Sequence, residues 1–225
     1  MKVGLIYTGT TPELIEDIER EVRAQIGNEA ELFSLADPSI IAEVRDEGYV
    51  TTPPAARLIT MFMKAAEEGC DAVLNICSSV GEVADCVQDT ARYIGMPIVR
   101  VDEEMCREAV REGERIGVMA TLPTTLEPTK NTIKRMAREN NKKIELVDCL
   151  VDGAFGLDQE QFRARMGECA GRIADKVDVI VFAQGSMAYC EKYIADMYGK
   201  AVLSSPRFGA AALREALVKK GLIKD

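Results

Sequence analysis

The stretch Asp71-Ala72-Val73-Leu74-Asn75-Ile76-Cys77-Ser78-Ser79 decides how this chain is read, because its pattern returns as Asp178-Val179-Ile180-Val181-Phe182-Ala183-Gln184-Gly185-Ser186. An acid opens each copy, an apolar run of strand length follows, and a polar residue with a serine two places on closes it. Asp71 and Asp178, Cys77 and Gln184, and Ser79 and Ser186 each stand 107 positions apart. A second pair points the same way. Val3-Gly4-Leu5 followed by Thr8 matches Ile116-Gly117-Val118 followed by Thr121, at an offset of 113. Two motifs repeated in the same order indicate an internal duplication.

Outward from these motifs, short apolar runs alternate with helical spacing along the chain. Strands are predicted at 3–7, 30–33, 72–76 and 98–101, then at 115–120, 144–147, 178–182 and 201–203. Thr11-Pro12-Glu13 has the composition of a helix start, and Leu14, Ile18 and Val22 follow on one face. Further helices are predicted at 54–68, with Leu58, Phe62 and Ala66 inward, and at 83–93. In the second half they fall at 127–139, at 159–177 with Phe162, Met166, Cys169 and Ile173 inward, and at 189–197, closed by Gly199. Ser205-Pro206 caps a last helix ending near Gly221. The connector 35–53 is long enough for a flap or lid. Asp102-Glu103-Glu104 and Lys142-Lys143 read as solvated faces.

Strands and helices alternating in this way predict an α/β fold of two pseudo-twofold-related lobes, each a short parallel sheet flanked by helices. Residues 1–100 with 205–225 are expected to form the first lobe and 101–204 the second, with the active site in the cleft between them.

Composition narrows the chemistry. The 225 residues carry 28 Lys and Arg against 37 Asp and Glu, a net charge of −9. Such a surface repels phosphate backbones and anionic lipid, which argues against nucleic acid or membrane as partner. No apolar run approaches the ~18 residues of a membrane helix, and MKVGLIYTGT reads as a strand rather than a signal peptide. Seven cysteines without a CxxC spacing read as reduced thiols of a cytoplasmic protein. The chain has no histidine. Ser-His and Cys-His nucleophiles, HExxH metal sites and imidazole acid–base catalysis are therefore excluded. Asp148 and Asp152 lack the spacing of a metal cluster.

In open α/β sheets, ligands sit beyond the carboxyl ends of the strands. Four hydroxyl-rich loops occupy such positions: Thr8-Gly9-Thr10-Thr11, Cys77-Ser78-Ser79-Val80-Gly81, Thr121-Leu122-Pro123-Thr124-Thr125 and Gln184-Gly185-Ser186. Hydroxyls and unpaired backbone N–H groups at helix starts suit a small carboxylate, although the same residues also serve as ordinary caps. Cys77 ends an apolar strand at the start of a predicted helix, whose dipole would favour its thiolate. Cys149, also just after a strand, is the second choice. Arg207, beside the cap of the last helix, is a further candidate for a distal carboxylate.

Two duplicated α/β lobes, a strand ending in Cys77-Ser78-Ser79, and Ile116-Gly117-Val118-Met119-Ala120-Thr121 with Thr124-Thr125 resemble the aspartate/glutamate/hydantoin racemase superfamily. The resemblance implies proton exchange at the α-carbon of a small carboxylate by two facing cysteines, without cofactor or metal, in a dimer or larger homo-oligomer. It carries the first cysteine onto Cys77 and the second onto Gln184. Glutamine is neither acid nor base, though its amide can donate to an oxyanion. Cys77 and Gln184 are thus the candidate catalytic positions, with Thr8, Thr10, Ser78, Ser79, Thr121, Thr124, Thr125, Gly185 and Ser186 expected to hold the substrate. Three readings stay open: a racemase-like isomerase whose second acid–base group is Glu82, Tyr49, Tyr189 or Cys190; a single-cysteine enzyme that works from one face, either as a one-sided isomerase or as a decarboxylase of a malonate-like acid; or a non-catalytic small-acid binder.

Overall fold

The two copies of the repeated motif build the third strands of two sheets. The computed structural model describes residues 1–154 and 157–224. The chain divides into two compact units, Met1–Val101 with Pro206–Asp225, and Asp102–Ser205.

In the first unit, β1 (Lys2–Tyr7), β2 (Glu31–Ala36), β3 (Ala72–Ile76) and β4 (Ile98–Arg100) form a parallel sheet in the order β2-β1-β3-β4. Side chains alternate across the pleat. Val3, Leu5, Tyr7, Leu74 and Ile76 pack on Leu14, Ile18 and Val22 of α1 (Pro12–Ile26) and on Ala210, Leu213 and Leu217 of the last helix, α10 (Ser205–Lys219). Ile6, Val73 and Ile98 face the other way. They meet Leu58, Phe62 and Ala65 of α3 (Thr52–Glu67), and Val83 and Ala84 of α4 (Gly81–Cys86). The inward residue at the end of the α3 stripe is Ala65, with Ala66 only half-buried, because the seventh residue after Leu58 returns closer to the same helix face than the eighth does.

In the second unit, β5 (Arg115–Ala120), β6 (Glu145–Leu150), β7 (Val179–Phe182) and β8 (Ala201–Ser204) repeat the topology as β6-β5-β7-β8, again all parallel. The repeated acids explain themselves here. Asp71 accepts the backbone N–H of Lys2 at 2.9 Å, and Asp178 accepts that of Arg115 at 2.8 Å. Each carboxylate ties the start of its own strand to the neighbouring first strand. The repeated mid-strand glycines reflect close packing: a Cβ on Gly117 would meet Ile173 Cδ1 at 2.8 Å, and one on Gly4 would meet Val73 Cγ2 at 3.0 Å.

Several expectations need correction. The 35–53 connector holds a helix, α2 (Pro38–Glu47), whose Asp37 cap accepts the Ser39 N–H at 3.0 Å. Ile40 and Val44 bury against the core, so this segment is part of the layer rather than a flap. The helix predicted at 83–93 is two short ones, α4 and α5 (Gln88–Ile94), broken at Val87. The helix predicted at 159–177 is α8 (Gln159–Gly171) followed by a 3-10 turn at Ala174–Lys176, which leaves Ile173 outside it, and Phe162 is only half-buried.

A whole helix, α6 (Glu103–Glu112), sits where the sequence suggested only charge. Its buried stripe of Met105, Cys106, Ala109 and Val110 is short and diluted by six acids and arginines. Asp102 is buried, Glu103 and Glu104 pair with Arg107, and Lys142 donates to the Val110 carbonyl at 2.6 Å. These charges belong to the packing of α6 rather than to solvated faces, while Lys143 is exposed as expected.

Candidate functional site

The carboxyl edge of the first sheet carries the thiol. Register pairs Tyr7 with Ile76. One step further along both strands sets Thr8 beside Cys77, on the face already occupied by Ile6 and Asn75. Thr8 is fully buried, and its Oγ1 has no partner among the described residues. Cys77 is half-buried, in extended backbone, and caps a 3-10 turn at Ser78–Val80 in which Ser78 and Ser79 are both buried. The helix beyond is the six-residue α4, far shorter than predicted. With so few aligned peptides it offers Cys77 little dipole, so that part of the expected activation is withdrawn.

Beneath this turn lie two polar side chains that the sequence reading passed over. Asn75, in the otherwise apolar run Ala-Val-Leu-Asn-Ile, is 1% exposed. Its Nδ2 donates to the Cys77 carbonyl at 3.3 Å, while its Oδ1 has no partner among the described residues. Arg100 is its register partner on β4. The Arg100 side chain is 5% exposed, pairs with Asp85 at 2.6 Å, and lies against Gly81. A polar residue inside an apolar strand, and an arginine ending one, were the available signals.

The second sheet's carboxyl edge is built alike with different chemistry. Gln184 caps a 3-10 turn at Gly185–Cys190. Its Oε1 accepts the Thr121 N–H at 2.7 Å, and its Nε2 donates to Thr121 Oγ1 at 2.6 Å. The backbone donor fixes which amide atom is oxygen. Because the Thr121 hydroxyl accepts from the amide, it keeps its own proton to donate. Gly185 and Ser186 are half-buried in the turn that follows.

α7 (Pro123–Glu139) begins four residues before the predicted start, placing Thr124 and Thr125 in its first turn. Thr125 is buried, and Thr124 Oγ1 has no partner among the described residues. In the first unit, Thr10 is exposed, and Thr11 is spent as the α1 cap, accepting the Leu14 N–H at 3.2 Å.

The remaining candidates separate clearly. Only Cys77 and Cys86 of the seven cysteines reach solvent. Burial pushes the Cys149 and Cys190 thiols up to about 11. Cys149 donates to the Cys169 carbonyl at 3.4 Å. Neither of these thiols is primed to ionise near neutral pH. Glu82 and Tyr49 are exposed, Tyr189 is held between Phe162 and Arg163, and Arg207 lies over Phe208 at 4.6 Å. Among the described residues, no group of three His, Cys, Asp or Glu is placed to hold a metal, and no helix is long and apolar enough to cross a membrane.

Two parallel sheets of one topology, each ending in hydroxyl-rich loops and one ending in a half-buried cysteine, define a duplicated α/β protein. The family model for Asp/Glu/Hydantoin racemase matches residues 3–213, and the chain belongs to that family. Comparison with curated protein sequences gave no match. Among solved structures, the chain is similar to a glutamate racemase from Bacillus anthracis (16% identity, TM-score 0.73, 99% of this chain and 84% of that one). It is also similar to an allantoin racemase from Klebsiella pneumoniae (16%, 0.68, 100% and 90%). An unliganded arylmalonate decarboxylase shares the fold as well (12%, 0.55, 96% and 92%).

Proposed function

We propose that this chain is a racemase-family enzyme that moves a proton on one face of a carbon next to the carboxylate of a small acid, using Cys77 as its acid–base group. The observation that carries the reading is the unlike chemistry at two equivalent strand ends. Cys77 is a solvent-reaching thiol beside a buried hydroxyl. Gln184, neither acid nor base, spends one N–H and one lone pair of its amide on Thr121.

In this reading the Cys77 thiolate takes the α-proton and becomes a thiol, and the electron pair moves into the enolate oxygen. The thiol exchanges its proton with solvent, the electron pair returns to the α-carbon, and that carbon takes a proton from the thiol on the same face, which exchanges the α-proton without inversion. An α-proton beside a carboxylate is very weakly acidic, so donors to the developing oxyanion are the larger requirement. Ser78 and Ser79, in the turn that Cys77 opens, are the proposed donors, and Thr121, Thr124, Thr125, Gly185 and Ser186 carry the equivalent groups at the second sheet's carboxyl edge. Thr8 faces the thiol and is assigned to it. Thr10, exposed as it is, has at most a peripheral contact with substrate. No cofactor enters this scheme.

A decarboxylase reading uses the same parts and is favoured by the committed Gln184 amide, since decarboxylation needs protonation from one side only. The C–C bond breaks, carbon dioxide leaves, the pair enters the enediolate, and the Cys77 thiol protonates the carbon.

The test is proton NMR in D₂O with D- and L-amino acids, hydantoins, 2-hydroxy acids and substituted malonates, beside Cys77→Ala. Exchange of an α-proton without inversion, lost in the variant, is the expected result. Carbon dioxide release with deuterium incorporation selects the decarboxylase. Full inversion by the wild type would overturn the one-faced scheme, and turnover surviving in Cys77→Ala would overturn the role of the thiol.

A further inference from the structure

We infer that Asn75 is a positioning residue: with its register partner Arg100 it clamps the Cys77–Gly81 turn from below and so sets the orientation and reactivity of the Cys77 thiol. The inference deepens the proposed role of Cys77 and rests on it only for its chemical consequence; the clamp itself stands on geometry.

Asparagine is a poor choice for this position on stability grounds. It occupies the middle of a central strand whose five residues are all buried, and its own carbonyl oxygen finds no partner among the described residues. A buried, half-satisfied amide is costlier than an apolar side chain of the same shape, and leucine is nearly isosteric. What the amide supplies is a single donor, aimed forward along the chain to the carbonyl of Cys77 itself. That bond fixes the peptide plane between Cys77 and Ser78, and with it the direction in which the turn leaves the strand.

The other end of the turn is seated just as firmly. A Cβ at Gly81 would fall 2.4 Å from Arg100 Nη2 and 2.5 Å from Cζ, so the guanidinium lies directly on the Gly81 backbone. Asp85, one turn further along α4, holds the guanidinium there at 2.6 Å. Asn75 and Arg100 stand side by side in the β3–β4 register. Two adjacent strands thus each send one buried polar side chain up to one end of a five-residue turn that begins with the thiol.

Two measurements on the whole protein, wild type against Asn75→Leu, test this without any substrate. The first is the pH dependence of Cys77 alkylation by iodoacetamide, read by peptide mass spectrometry with Cys86 as an internal exposed reference. The second is backbone hydrogen exchange across 77–81. The clamp predicts that Asn75→Leu melts at or above the wild-type temperature, yet exchanges faster across 77–81 and changes the Cys77 alkylation rate by about fivefold or more, the equivalent of one hydrogen bond. Its pH midpoint should shift while that of Cys86 stays fixed. A merely structural asparagine would lower the melting temperature and leave both readouts at Cys77 proportionate to that loss. Unchanged exchange and unchanged alkylation would overturn the inference. If wild-type Cys77 alkylates no faster than Cys86 while exchange across 77–81 still rises in the variant, the clamp stands and the proton-transfer role of Cys77 fails.

Discussion

Replacing Gln184 probes the second strand end directly, because both of its amide atoms are committed to one residue. Gln184→Ala removes hydrogen bonds of 2.7 and 2.6 Å and leaves the Thr121 N–H without its acceptor. Two net hydrogen bonds at ~1 kcal/mol each, with part of the penalty for an unpaired donor, give a loss of about 2–3 kcal/mol. Gln184→Glu separates geometry from chemistry. A carboxylate can accept from the Thr121 N–H with one oxygen and from the Thr121 hydroxyl with the other, so at pH 7 its stability should lie within about 1 kcal/mol of wild type. Accepting two donors holds such a carboxyl below the usual carboxylate range. The stabilisation is therefore present above the unfolded value near 4.3 and is lost as pH falls through the folded one. The hydroxyl proton, however, is now consumed by the carboxylate. If Thr121 donates to an oxyanion, turnover should fall by on the order of 10²-fold despite the intact fold. Urea unfolding by circular dichroism gives the stabilities, and NMR exchange of the Thr121 amide gives the local readout. That amide should exchange fast in the Ala variant and stay protected in the Glu variant. An Ala variant within about 0.5 kcal/mol of wild type, or a Glu variant as destabilised as Ala, would refute the reasoning.

Three further outcomes follow from the packing. Gly81→Ala drives its methyl into the Arg100 guanidinium and off the Asp85 pairing; unfolding should show a loss of about 2–4 kcal/mol, and an unchanged melting temperature would count against the seat. Cys149 and Cys190 are neutral in the fold, with folded values near 11 above the ordinary thiol value of 9.0. Their unfolded forms ionise first, so stability held below pH 9 should decline between about 9 and 11, and a Cys149→Ala/Cys190→Ala double variant should flatten that limb in an alkaline unfolding series. Asp178 is held down to about 2 by the Arg115 guanidinium and two backbone N–H groups. Its contribution is present above the ordinary carboxylate value and is lost as pH falls toward 2, so Asp178→Asn should be less stable at pH 7 and show a shallower acid limb.

Much of this molecule is dictated along the chain. Strand-length apolar runs alternating with helical spacing demand parallel sheets with both faces covered, and the recurrence of Asp71 to Ser79 at Asp178 to Ser186 demands that the arrangement be made twice. The topologies β2-β1-β3-β4 and β6-β5-β7-β8 carry out that instruction. The absence of histidine and the single strand-end cysteine of the motif likewise follow from residue identity alone. The misread segments share one cause. α2 and α6 have few apolar positions, and their charges, such as Glu43 with Arg57 and Glu103 with Arg135, find partners on other elements that no local window contains.

What tertiary structure alone decided is which polar atoms meet. Periodicity places Asn75 in a strand but says nothing of its reach to the Cys77 carbonyl. Composition supplies Arg100, and only the β3–β4 register brings it onto Gly81. The serines and threonines of the four loops look interchangeable in sequence, yet Thr11 is a cap, Thr10 is exposed, Thr8 is sealed beside the thiol position and Thr121 is bound to Gln184. Hydrogen bonds and desolvation depend on distances of a few ångströms between residues far apart in sequence, 63 positions in the case of Thr121 and Gln184. The chain's pattern therefore determines that two strand ends exist and that one carries a thiol and the other an amide, and only folding determines that the first is seated on Asn75 and Arg100 while the second is bound to Thr121.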